Sequence, residues 1–184
     1  MIFKRLVLAY LLVAGGCLTV AQASGQSNSG DAYRQRFVGA WKLISVETIK
    51  ANGEVIYPFY GKKPEGLLAY DASGWMTVQI VSDPRPSVPK TDSREGFMAA
   101  PPGEKLTAVE GYYAYYGTWT ADAGNQTVIH HIVQSLYPGE RGEDGTRHVV
   151  FEGNRLILTA KTHEMGEEHQ RKLVWERVSP DTRN

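Results

Sequence analysis

Beyond residue 36 the chain alternates apolar and polar positions in short runs. In Trp75–Ser82, Met76, Val78 and Ile80 fall on one side and Thr77, Gln79 and Val81 on the other, the period of two that marks a β-strand. The same reading gives a long first strand in the run Phe37–Lys50, where Trp41, Leu43 and Ser45 alternate with Lys42, Ile44 and Val46. Further strands are predicted over 54–59, 66–70, the paired runs of 111–138, 146–152, 155–161 and 170–178. Turn chemistry separates them: Asn52-Gly53, Asp71-Ala-Ser-Gly74, Asp122-Ala-Gly-Asn125 and Gly153-Asn154 are hairpin signals.

Four stretches break the pattern. Asp83–Gly103 holds prolines at 84, 86, 89, 101 and 102, so it cannot be a central strand. It reads as a lid or as a surface excursion. Glu104–Glu110 suits a short helix. Gly139–Gly145 and His163–His169 read as polar turns. About nine strands in hairpin order predict an all-β antiparallel up-and-down barrel of about 8–10 strands, wide enough for one small ligand.

Composition narrows the function classes. Lys and Arg together equal Asp and Glu at 20 each, so no basic surplus favours a nucleic-acid partner. The 19 glycines and 9 prolines suit many turns. No G-x-S-x-G elbow or phosphate-binding glycine loop is present. His163-Glu164-Met-Gly-Glu167-Glu168-His169 departs from the zinc-protease spacing and sits in an expected turn, so no metal is assigned. No cofactor is implied.

The first residues resemble an export signal: Lys4-Arg5, the apolar Leu6–Val13, and a small-residue site at Ala21-Gln22-Ala23. This reading divides the chain into a signal peptide (1–23), a linker (24–36, with one helical turn from Asp31), a barrel (37–178) and a tail (179–184). The setting is then the periplasm or exterior of a bacterium. The one cysteine, Cys17, follows Ala14-Gly15-Gly16 in a lipobox-like run. Membrane attachment follows only if Cys17 is lipidated, and a single cysteine allows no internal disulfide.

Several motifs carry a resemblance. They are Val38-Gly39-Ala40-Trp41-Lys42-Leu43, Gly66–Gly74, Met76–Gln79, Glu110-Gly111-Tyr112 with Tyr115–Thr118, Val128–His131, Ser135–Pro138 and Leu173-Val-Trp175-Glu-Arg177. In this order they resemble the bacterial and fungal lipocalin-like domain family of the calycin superfamily. The resemblance implies ligand binding without transferring a reaction. It also implies structural roles for Gly39, Trp41, Trp175 and Arg177, with Arg177 packed across Trp41.

Strand parity selects candidate ligand-binding residues. His130 shares its side with Val128 and Ile132, and its neighbour His131 must face the other way. His130 is thus either a pocket hydrogen-bond partner or proton carrier, or a satisfied core histidine. Tyr113, Tyr115, Gly117 and Trp119 share one face, read as interior, with Gly117 thinning the wall to open volume and Tyr115 either a pocket residue or plain core filler. Arg147 is at the parity of Val149 and Phe151. Inward it needs a partner such as a ligand carboxylate or Glu110, and a solvated rim position is the simpler reading. Gln79 completes the set, although it suits solvent equally. Three functions remain: a binding module for a small apolar or amphipathic ligand, a cofactor-free isomerase, cyclase or hydrolase using His130 and Tyr115, and an envelope barrel packed shut by Trp119, Phe151 and Leu136.

Overall fold

The computed structural model describes residues 23–57, 59–85, 93–164 and 166–179. The leader-like segment with Cys17, Pro86 and Pro89 of the proline-rich stretch, and the tail beyond 179 lie outside the described residues. Nine strands follow in chain order: β1 (Gly39–Ile49), β2 (Val55–Ile56), β3 (Glu65–Tyr70), β4 (Trp75–Val81), β5 (Tyr112–Asp122), β6 (Thr127–Ser135), β7 (Asp144–Glu152), β8 (Arg155–Glu164) and β9 (Glu167–Arg177). All neighbouring pairs are antiparallel, and β1 also pairs with β9 from Trp41↔Arg177 to Ile49↔Gln170. That contact closes eight strands into a barrel and leaves the two-residue β2 as an appendage on the end of β1. Closure removes the open edges that an eight-stranded sheet would otherwise expose.

Four expectations are corrected. The predicted linker at 24–30 belongs to helix α1 (Ala23–Gln35). Its C-terminal end is docked through Tyr33 and through Phe37 just beyond it, and once a helix is nucleated each further residue adds a hydrogen bond. The second strand shrinks to Val55–Ile56. The proline-rich stretch contains helix α2 (Arg94–Ala99), capped by Ser93 Oγ accepting from Gly96 N at 3.0 Å, and helix α3 starts at Pro102 and runs to Glu110. The turn expected at His163–His169 is much shorter, because β8 and β9 pair through His163↔Glu168 and Glu164↔Glu167.

The closed base is aromatic. Phe37 packs edge-on to Tyr33 (5.3 Å), Tyr70 (5.5 Å) and Phe151 (5.0 Å) and lies 5.6 Å from Trp119. Guanidinium groups seal the rim, Arg34 over Trp119 and Arg36 over Phe151. Trp41 is buried, donates Nε1–H to the Phe37 carbonyl at 2.8 Å, and carries Arg177 stacked 4.1 Å above its ring. Arg177 also donates to the Val38 and Arg36 carbonyls. Gly39, at φ 130°, leaves the space that its guanidinium crosses.

Gly117 has a different role from the one its sequence position suggests. It sits at a bulge where the β5–β6 register shifts, and a Cβ there would stand 1.9 Å from the His131 carbonyl oxygen. The missing side chain lets two backbones approach and does not enlarge the interior. Gly117→Ala is therefore expected to cost about 1–3 kcal/mol by forcing the strands apart. Urea unfolding reads this directly, and an unchanged midpoint would refute the close approach.

Candidate functional site

Above the aromatic base the barrel holds a cavity of about 350 Å³. Its apolar lining comes from alternate residues of several strands, among them Leu68, Val78, Ile80, Leu158 and Leu173. Phe59, Tyr60, Tyr113 and Tyr137 add an aromatic collar, with Tyr113 and Tyr137 stacked at 5.2 Å. Apolar walls with a few polar groups are what small-molecule sites generally present.

Several polar groups form one chain that runs along the floor and on beneath it to Tyr70. The Tyr70 hydroxyl lies 2.6 Å from His130 Nε2, and the Tyr115 hydroxyl lies 2.7 Å from His130 Nδ1. Arg147 Nη2 donates to the Tyr115 hydroxyl at 3.3 Å. These contacts join β3, β6, β5 and β7, and β3 and β6 are not neighbours in the sheet, so the Tyr70–His130 bond spans the interior. His130 is 1 % exposed. Burial, then the positive charge of Arg147, then His131, hold its pKa well below the ordinary imidazole value, so the ring is neutral. Burial also raises the phenols of Tyr70 and Tyr115, with Arg147 acting against the rise at Tyr115.

Arg147 turns inward and is not a solvated rim residue. Its Nη1 donates to the Gly145 carbonyl at 2.6 Å. A Cβ at position 145 would stand 2.2 Å from that nitrogen, so the fold-back depends on glycine. The suggested partner Glu110 is not involved. The carboxylate in the cavity wall is Glu140, which accepts from Tyr113 at 3.0 and 2.9 Å and from Ser135 at 2.5 Å. Burial, then Tyr115 and Glu140, push the Tyr113 phenol far up.

The structure thus brings Tyr113, Tyr115, His130 and Arg147 to one cavity. Gln79 is not with them: it is exposed on the outer face, where its Oε1 accepts from Tyr112 at 3.0 Å. Trp175, expected to be structural, is in the buried core and also lines the cavity. Sequence reasoning missed Tyr70, Glu140 and Arg171. The signal for Arg171 was readable, since it shares inward parity with Leu173 and Trp175. On the outer face His131 bridges Asp144 (Nδ1, 2.6 Å) and Thr120 (Nε2, 3.0 Å). That order of contacts is the one in a hydrolytic triad, but these side chains lie on the outer sheet surface, away from the cavity that would hold a substrate.

A family model described as a lipocalin-like domain matches residues 38–178. Among solved structures the chain is similar to the siderocalin Ex-FABP, described as functioning through dual ligand specificities. The identity is 10%, over 79% of this chain and 78% of that one, and the TM-score is 0.33. No curated protein matches the chain.

Proposed function

The chain belongs to the lipocalin-like domain family, and from that premise we propose that it binds one small, largely apolar molecule inside the barrel. The observation that carries this reading is the cavity of about 350 Å³, with apolar and aromatic walls and a polar floor. A barrel serving only as an envelope scaffold would fill this space with side chains, and here Trp119 and Phe151 stay with the base cluster. The acid–base alternative has weaker support. Both ring nitrogens of His130 already face tyrosine hydroxyls, so neither is offered to a substrate. The leader pattern at 1–23 supports an exported setting.

The test uses N-phenylnaphthylamine, a neutral apolar dye that brightens on leaving water. One molecule is expected to bind per chain. Ala160 lines the cavity, and Ala160→Trp is expected to weaken binding at least about tenfold by filling the space, a difference of roughly 1.4 kcal/mol. Equal affinity in a folded Ala160→Trp protein would sink the reading. Native mass spectrometry of the protein from its producing cells adds the mass of any retained ligand and of the processed N-terminus.

A further inference from the structure

The hydrogen-bond count on the cavity floor bears on which molecule fits. A neutral imidazole has one donor nitrogen and one acceptor nitrogen, so the two tyrosines beside His130 must take opposite roles. Suppose Nε2 carries the proton and donates to Tyr70. The Tyr70 hydroxyl hydrogen then needs another acceptor, and among the described residues its oxygen has no hydrogen bond besides that to His130. Tyr70 is 2 % exposed and is not part of the cavity wall, so that hydrogen would be stranded, which is unfavourable in a buried site.

Suppose instead that Nδ1 carries the proton. Tyr70 donates to Nε2, Nδ1–H donates to the Tyr115 oxygen, and Arg147 donates to the same oxygen. Every group in the chain is then satisfied except the Tyr115 hydroxyl hydrogen. Tyr115 is a cavity-wall residue, so this is the arrangement in which the unused donor belongs to the cavity.

A further observation points the same way. Arg147 is half-buried, lines the cavity, and makes no ion pair with a carboxylate among the described residues. Glu140 is already occupied by Tyr113 and Ser135. A partly buried guanidinium without a counter-charge favours an anion. An unused hydroxyl hydrogen at Tyr115 beside a guanidinium with no carboxylate partner, in one largely apolar cavity, defines a complementary ligand.

We infer that the cavity selects an amphipathic anion, a carboxylate or similar oxyanion on an apolar body, with its charged end against Arg147 and the Tyr115 hydroxyl. The two donor atoms are 3.3 Å apart, a spacing that one carboxylate can meet with both oxygens. This inference rests on the binding reading above and specifies the ligand class.

Calorimetry with three matched probes tests it: naphthylacetate, naphthylethanol and naphthylethylamine. They share one apolar body and differ in the charge of the end group. Naphthylacetate is expected to bind about ten- to a hundredfold more tightly than the alcohol, the usual scale of charge-assisted hydrogen bonds, and the amine most weakly. In Arg147→Met, and to a lesser degree in Tyr115→Phe, the acid should lose this advantage while the alcohol keeps its affinity. Gln79→Ala, on the outer face, should change none of the three. Equal binding of the acid and the alcohol by the unaltered protein overturns the anion inference and leaves the binding reading standing. A preference that persists undiminished in folded Arg147→Met also overturns it. Failure of all three probes to bind overturns both readings. The comparison on the unaltered protein decides the matter even if Arg147→Met does not fold.

Discussion

Trp41→Ala is expected to cost about 3–5 kcal/mol of folding stability, the usual range for truncating a buried aromatic residue. Domains of this kind are held by only about 5–15 kcal/mol, so a large share of the total would go. Three losses combine. The indole is 1 % exposed and packs 6.2 Å from Phe151, so its removal leaves a void beside the base cluster. The Nε1–H bond to the Phe37 carbonyl is lost. Arg177 loses the ring it stacks on, although its bonds to the Val38 and Arg36 carbonyls remain. Urea unfolding followed by tyrosine and tryptophan fluorescence measures the change. Trp41 is not part of the cavity wall, so the folded fraction of this variant should bind N-phenylnaphthylamine with unchanged affinity. A loss under about 1 kcal/mol would be typical of a surface position and would contradict the role assigned to Trp41.

The second large effect is expected at His130. His130→Leu strands the Tyr70 hydroxyl against a hydrocarbon side chain and takes from Tyr115 one of its two partners, the Arg147 contact remaining, and a buried polar group without a partner costs about 1–3 kcal/mol. The single variant should therefore lose at least about 1–3 kcal/mol, set chiefly by the Tyr70 hydroxyl. Adding Tyr70→Phe and Tyr115→Phe removes both hydroxyls, so the triple variant should recover most of the loss. If the single and triple variants were equally unstable, the hydroxyls would not be the cause. The same residue sets a pH dependence. Its folded pKa lies well below that of the unfolded chain, so as pH falls the unfolded chain takes up the proton first. Stability from this source is complete above the unfolded value of about 6.5 and declines below it by about 1.4 kcal/mol per pH unit, until the folded pKa is reached. The triple variant lacks the titrating group. Its stability should fall less than that of the unaltered protein between pH 6.5 and 5, and parallel curves would rule His130 out as the origin.

Much of the fold was legible because each signal is local. The alternation in Met76–Val81 needs only the pleat of one strand to place Met76, Val78 and Ile80 inside, and their burial follows it. Parity likewise separated His130 from His131, one buried and one bonded to Asp144 on the outer side. It put Tyr113 and Tyr115 on the inward face of β5. The motif resemblance marked Trp41 and Arg177 as a pair, and they stack. Element ends were less legible. His163–His169 is polar, yet pairing in a hairpin depends on backbone hydrogen bonds that charged side chains at an exposed end do not oppose, so β8 and β9 run on.

What parity could not supply is which inward residues meet across the barrel. Tyr70 was legible as a strand residue, but the contact with His130 exists because closure of β1 on β9 brings β3 opposite β6. Arg147 had inward parity, and its charge argued for the rim. The deciding factor is the bare backbone at Gly145, which lets the guanidinium fold back to its own strand and reach Tyr115. Gly117 was placed on the correct face for the wrong reason, because the approach of the β6 backbone appears only once the strands are paired.

The amino-acid sequence by itself determined the order of the barrel strands from β3 to β9, the inward and outward faces and the family, since hydrophobic period, turn chemistry and motif order are properties of neighbours along the chain. The tertiary structure alone decided that there is a cavity, that Tyr70, His130, Tyr115 and Arg147 form one chain of hydrogen bonds along and beneath its floor, and that Gln79 stands outside. Those facts depend on closure and on the volume left between side chains from distant strands, and no local pattern encodes either.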